Sequence, residues 1–230
     1  MTQQLEGPDA AVEWRGVLDR VRGFVIDAVE HDGVQATNLT VPACPDWSAH
    51  DLLCHMVGLV ADVLDGHEPD DHHPDWTQAQ VVARRGRTSL EVLDEWAGLA
   101  DRMDTYLRER STRPLNDAII HEQDLRGALQ RPGARDCAGV ASVRETLATR
   151  LAGSLDGLAP LELRSDAWSW SSGEGESGVV LEASGFDLFR AVSSRRTAAQ
   201  LRSYVVAGDV TPYLDHFAQL GDLPTRSLPE

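Results

Sequence analysis

Thr40-Val41-Pro42-Ala43-Cys44-Pro45-Asp46-Trp47-Ser48-Ala49-His50-Asp51-Leu52-Leu53-Cys54-His55-Met56-Val57-Gly58 is the stretch on which the reading of this chain turns. Its first half holds two prolines, which fix φ and remove backbone donors, so no helix runs through it. Ser48, followed three residues later by Asp51, is an acidic capping box and predicts a helix over about Ala49 to Asp65. His55 falls mid-helix between Leu52, Leu53, Met56 and Leu59. An imidazole at such a place is more often a satisfied, partly buried side chain than a metal ligand.

Working outward, Val12, Val17, Leu18, Val21, Phe24, Val25 and Val29 recur at helical steps and predict an amphipathic helix from Ala11 to Glu30, ending near Gly33. Downstream, Gly66 to Asp75 reads as a polar loop, then helices follow at Thr77 to Arg84 and Leu90 to Arg110, the second with Ser89 as N-cap. Pro114 suits the first turn of a further helix that Pro132 and Gly133 stop, and Val140 to Leu155 predicts another. Past Gly157 to Pro160 the texture changes. Leu161 to Leu163, Trp168 to Trp170 and Val179 to Ala183 read as strands, and Phe186 to Val192, Thr197 to Tyr204 and Pro212 to Leu220 as helices. The expected plan is a helical N-terminal domain over residues 1–156 and a smaller α+β domain over residues 160–230.

The chain has 230 residues, of which 42% are hydrophobic and 25% charged, enough to build cores without staples. Its 37 acidic against 21 basic residues give a formal net charge of −16, which argues against nucleic acid or an acidic membrane surface as partner. Every basic residue is Arg, so lysine Schiff-base, P-loop and kinase-type chemistry are excluded. Three cysteines, Cys44, Cys54 and Cys137, are too few for a disulfide scaffold and point to a reducing, cytoplasmic setting. Met1 to Ala10 lacks the basic and apolar regions of a signal peptide, and Met56 to Leu64, broken by Asp62, is too short to span a bilayer. The sequence carries no signal of oligomeric state.

Asp117 and His121 stand four apart on one predicted helix, so their side chains share a face and can grip one ion. On spacing alone an exposed ion pair or a cap is the commoner role for such a pair. With His55 from a facing helix they would form a three-ligand divalent site that keeps an open position, as catalytic zinc centres do. Asp124 follows on the same face, either as a group reaching ligands or cofactor or as an ion-pair partner of a neighbouring Arg. Cys44 reads as a packed loop thiol and Cys54 as a small buried hydrophobe. The loop His67 to His73 is rich in ligand atoms but lacks anything to orient them. Trp47 and Trp96 read as core or staple residues. Trp168 and Trp170 share one face of a strand, as a domain contact or a ligand wall.

The opening stretch resembles the Val-Pro-x-Cys-Pro-x-Trp-(Ser/Thr)-x-x-Asp-Leu-x-x-His-(Leu/Met)-x-Gly signature of the mycothiol-dependent maleylpyruvate isomerase family, a group of DinB-like four-helix bundles. The run Asp117-Ala118-Ile119-Ile120-His121-Glu122-Gln123-Asp124-Leu125 is similar to that family's second metal motif, an acid followed four residues on by His and then by Asp-Leu. Ala183-Ser184-Gly185-Phe186-Asp187-Leu188 with Arg195-Arg196 resembles its C-terminal pattern, with Ser194 where that pattern has Gly and with Gly185 closer to Asp187 than the pattern asks. Many members carry Glu where Asp117 stands.

The resemblance implies an up-down bundle with a long crossover followed by an α+β domain. It implies zinc, or another divalent metal, on His55, Asp117 and His121, and mycothiol as the thiol cofactor or cosubstrate. The activity implied is transfer of that thiol to a small electrophile, or isomerisation of the electrophile through the thiol, with the metal activating the thiolate. Arg195 or Arg196 would clamp a substrate carboxylate, and Asp124 would lie close to the cofactor. A noncatalytic metal- and ligand-binding protein, and an enzyme that uses another low-molecular-weight thiol, are the competing readings.

Overall fold

The computed structural model describes residues 9–69 and 73–230. They form two compact units, one comprising the chain up to Gly133 together with Pro229–Glu230, the other Ala134–Leu228. Among the described residues no helix is long and apolar enough to cross a membrane.

The first unit is helical. Helices α1 (Ala10–Asp32), α2 (Ala49–Asp65), α3 (Pro74–Arg84), α4 (Ser89–Glu109) and α5 (Arg113–Leu129) follow in order, with a 3₁₀ turn at Val34–Asn38 and a short antiparallel pair, β1 (Thr40–Val41) and β2 (Cys44–Ser48), ahead of α2. Helices α1 to α4 begin where a side chain can take their free amides, whereas α5 has no side-chain cap and carries Pro114 in its first turn. Asp9 caps α1, Ser48 and Asp51 form a complete capping box on α2, and Thr88 with Glu91 forms another on α4. The cap of α4 is thus Thr88 and not Ser89. Thr88 has extended φ and ψ of −73° and 156°, whereas Ser89 already lies inside the helix.

α1 packs against α4 and α5, and α2 packs against α3, α4 and α5. Of the apolar stripe that helical spacing predicts for α4, Leu93, Trp96, Ala100, Met103 and Leu107 are buried, whereas Leu90 and Ala97 are exposed. Trp96 meets Trp14 edge to face, with ring centroids 5.8 Å apart and planes at 78°, the arrangement that aromatic quadrupoles favour.

The second unit is α+β. Helix α6 (Ala138–Ala152) precedes a four-stranded sheet, ordered β4-β3-β5-β6, of β3 (Leu161–Ser165), β4 (Trp168–Ser171), β5 (Val179–Glu182) and β6 (Val205–Gly208). β3 and β5 run parallel, and the β3–β4 and β5–β6 pairs run antiparallel. Helices α7 (Gly185–Val192) and α8 (Ala198–Ser203) connect β5 to β6, and a 3₁₀ segment, Thr211–Ala218, follows where a helix was expected.

The break between compact units therefore falls before α6 and not at Gly157–Pro160. α6 packs on α7, and Trp168 on β4 reaches back to it, its Nε1 donating to Glu145 at 2.7 Å while the Arg144 guanidinium covers its ring at 4.0 Å. β6 has no counterpart in the sequence reading because Val205-Val206-Ala207 is too short to show alternation. Its last residue must be glycine: Gly208 has φ of 77°, and a Cβ there would lie 1.9 Å from the Gly178 carbonyl oxygen.

One buried charge network ties α1 to α5. The fully buried carboxylate of Glu122 accepts from Arg20 Nε and Nη2 at 2.8 and 2.7 Å and from Arg126 Nε at 3.0 Å. Removing one member of such a set strands the others in a low-dielectric interior. We predict that Glu122→Ala lowers the unfolding free energy by about 3–5 kcal/mol. Asp101→Ala, which removes the nearly fully exposed partner of Arg15, should cost under about 1 kcal/mol. Urea denaturation of both variants checks the contrast.

Candidate metal centre

The β1–β2 pair feeds directly into α2, and the capping box fixes where that helix starts. His55 is thereby placed in its second turn with 3% of its surface exposed. α5 presents Asp117, His121 and Asp124 along one face at steps of four and three residues. Because α5 lies against α2, His55 Nε2 comes to 3.4 Å from Asp117 Oδ1, and His121 Nε2 stands 3.4 Å from the same oxygen. One ligand atom from each of the three residues lies within 4.8 Å of the other two. The two imidazoles meet edge to face with centroids 5.2 Å apart.

The far side of each ring is also occupied. His121 Nδ1 lies 3.1 Å from Asp124 Oδ2, and a carboxylate only accepts, so that nitrogen carries the hydrogen. His55 Nδ1 lies 2.7 Å from Gln80 Oε1, while Gln80 Nε2 donates to Asp62 Oδ2 at 2.7 Å. The amide nitrogen must face the carboxylate, so the amide oxygen faces His55 and accepts from Nδ1–H. In the neutral rings both Nε2 atoms therefore carry lone pairs, and both aim at an oxygen that is itself an acceptor. Three acceptors converging without a hydrogen of their own call for a cation between them.

Without a metal that cation is a proton. Burial pushes the Asp117 carboxyl up, but the charges and hydrogen bonds of His121 and His55 outweigh it and hold the group well below the usual carboxylate range. Burial pushes His121 down, yet the Asp117 charge, its hydrogen bond and the contact with Asp124 win, and the imidazole is raised to about 9.

A divalent ion fits the same place. Tetrahedral zinc with bonds of about 2.0–2.1 Å has ligand-to-ligand edges of about 3.3 Å, close to the two 3.4 Å separations. Two imidazoles and one carboxylate, each imidazole held from behind by a hydrogen-bond acceptor, is the donor chemistry of metal sites that keep a position open.

The structure thus brings His55, Asp117 and His121 together. Asp124, whose side chain is wholly buried, accepts from His121 Nδ1. Trp47, directly ahead of the Ser48 cap, is half-buried: its ring lies 5.0 Å from that of His55, and its Nε1 donates to Gln78 Oε1 at 3.2 Å. Cys44 is half-buried on β2, with its sulfur within 4.8 Å of ligand atoms of His121 and Asp124, so it borders the cluster. Cys54 matches its reading, since burial pushes its thiol up to about 12. In the stretch His67 to His73, residues 70–72 lie outside the described residues, Glu68 pairs with Arg113 at 3.4 Å, and His73 caps α3.

Arg195 and Arg196 belong to the second unit and are buried there. Arg196 Nη2 and Nε donate to Asp187 Oδ1 at 2.9 and 3.2 Å, and Arg195 Nη1 donates to the Ser193 carbonyl at 2.8 Å. Ser194, at the position where glycine was expected, adopts a left-handed φ of 62°. Its hydroxyl donates to the Phe217 carbonyl at 2.7 Å and accepts from Leu220 N at 3.0 Å, contacts that offset the strain.

An ion entering the cluster must displace the His121 proton. As that proton is held up to about pH 9, acid competes with metal, and affinity should rise with pH by up to about tenfold per unit below that point. Chelator competition with zinc at several pH values checks this. An affinity independent of pH between 6 and 8 would contradict it.

Comparison with protein-family models finds no match, and comparison with curated protein sequences finds none. Among solved structures, the chain shares its fold with a histidine-to-alanine mutant of the mycothiol-dependent maleylpyruvate isomerase. The TM-score is 0.53 at 12% sequence identity, over 84% of this chain and 92% of that one.

Proposed function

We propose that this chain is a divalent-metal-dependent enzyme of the mycothiol-dependent maleylpyruvate isomerase family. The proposed metal is zinc, on His55 Nε2, Asp117 and His121 Nε2, and the proposed thiol cofactor or cosubstrate is mycothiol. One observation carries this reading: three buried acceptors converge at 3.4 Å contacts, with both imidazoles turned so that their lone pairs meet the carboxylate. The shared fold supports it. On this reading the helical unit is a DinB-like four-helix bundle of α1, α2, α4 and α5, with α3 in the long α2-to-α4 crossover.

When bound, zinc supplies Lewis acidity that holds a coordinated thiol as thiolate near neutral pH. The chain's own residues do the rest. Asp117 stays ionised and offsets the positive charge. Asp124 keeps one hydrogen of His121 on Nδ1, so that Nε2 is the nitrogen offered as a ligand once its own proton leaves. The short Asp117 side chain serves where many family members have Glu, because α5 lies close enough to α2 to bring its oxygen within 3.4 Å of both rings. A thiol nucleophile from outside explains why the protein needs none of its own, and Cys54 is too buried to serve. The substrate proposed is a small electrophile. Arg195 or Arg196 is the group proposed to grip a carboxylate on it.

Elemental analysis should find about one zinc per chain in the wild type and almost none in His121→Ala. Supplied with mycothiol and maleylpyruvate or a simple electrophile, the zinc protein should turn over, fall to the uncatalysed background on chelation, and recover when zinc returns. Replacing mycothiol by glutathione or cysteine identifies the thiol. A wild type that stays metal-free after zinc is supplied, or one whose turnover ignores chelation, overturns the proposal. Unchanged turnover and KM in Arg195→Ala would remove that residue's role.

A further inference from the structure

His55, Gly58 and Asp62 stand three and four residues apart and share one face of α2. That face is bare in its middle: a Cβ on Gly58 would lie 2.4 Å from Gln80 Cβ and 2.8 Å from Gln80 Cγ. The missing side chain lets α3 lie directly on α2 and drops the Gln80 amide between His55 and Asp62. Gln80 is 3% exposed, and both ends of its amide are used, Oε1 on His55 Nδ1 and Nε2 on Asp62 Oδ2, each at 2.7 Å.

The order of these contacts sets the chemistry of the ring. Asp62 can only accept, so it dictates which end of the amide turns toward His55. The amide oxygen can only accept in turn, so it dictates which imidazole nitrogen keeps the hydrogen. A neutral imidazole left to itself in water favours the hydrogen on Nε2, which would aim an N–H at Asp117 and leave no ligand atom there. Trp47 closes the remaining side of the ring from β2, and its anchor, Gln78, also lies on α3.

We propose that Gln80, turned by Asp62 and admitted by Gly58, is the positioning residue that holds His55 as its Nδ1–H tautomer and so makes His55 Nε2 a metal ligand. This rests on the reading of the cluster as a divalent-metal site. Positioning partners of this kind change metal affinity by about 10–100-fold when removed. The short helix α3, which contributes no ligand, would then set the affinity of the site.

The test has a reading that needs no metal. Long-range ¹⁵N–¹H spectra of the metal-free protein, taken with the His55 ring neutral, should show the hydrogen on Nδ1 in the wild type and on Nε2 in Gln80→Leu. Zinc affinity, measured by chelator competition, should fall about 10–100-fold in Gln80→Leu. It should fall in the same direction in Gly58→Ala, which keeps every polar group and presses chiefly on Gln80, with Arg84 Nη1 next nearest at 3.0 Å. Gln80→Glu combined with Asp62→Asn exchanges donor and acceptor between the two and should restore both tautomer and affinity, which a packing role alone would not predict.

A wild-type His55 with its hydrogen on Nε2 overturns the inference whether or not any variant folds. So does a wild type that binds zinc alongside a Gln80→Leu variant of equal affinity and unchanged tautomer. A wild type with the hydrogen on Nδ1 that binds no zinc sinks the metal reading instead, and with it the second half of the proposal.

Discussion

The helical unit depends on how α2 and α5 meet at a single carboxylate oxygen. Asp117 Oδ1 faces two imidazole nitrogens, each 3.4 Å away. Three electron-rich atoms held this close repel one another unless positive charge lies among them. The fold meets that requirement with a proton on His121 when no metal is present, and the same arrangement suits a divalent ion. Much of the surrounding structure serves to keep the three groups from turning away: the capping box that starts α2, the Asp124 carboxylate behind one ring and the Gln80 amide behind the other. The Arg20–Glu122–Arg126 network one residue past His121 fixes α5 against α1 and so keeps its other face toward α2.

The residues that meet at this oxygen were legible in the sequence in so far as they depend on local spacing. Asp117 and His121 share a face by helical geometry alone, and His55 was placed mid-helix by the capping signal at Ser48 and Asp51. The residues around these three were not legible. Gln80 comes to His55 across 25 positions, and nothing local to α3 marks it out. Gly58 was visible only as the last letter of a motif, and its purpose emerges once the Gln80 side chain is seen lying on it. Trp47 and Cys44 follow from the path of a two-residue strand, β1, that is too short for any period to reveal.

The second unit gives the same lesson from the other direction. Its strands β3 and β4 were readable from alternation and β5 from a short apolar run, whereas the allegiance of α6 depends on contacts with α7 and β4 that sequence order hides. Arg195 and Arg196 were readable as a pair, and the structure separates them: one guanidinium is forked onto Asp187, the other donates to a backbone carbonyl. Ser194 shows that a left-handed turn can be held without glycine when its hydroxyl both donates and accepts.

The central claim is that His55, Asp117 and His121 form a three-ligand site with a position left open for a thiol. Cobalt(II) in place of zinc reports on it directly, because its visible absorption depends on coordination number and on sulfur ligation. The account predicts intense d–d bands of a four- or five-coordinate ion at one cobalt per chain, and a new sulfur-to-cobalt charge-transfer band when mycothiol is added. A protein that takes up no cobalt, or one whose spectrum stays that of a six-coordinate ion unchanged by the thiol, would contradict it.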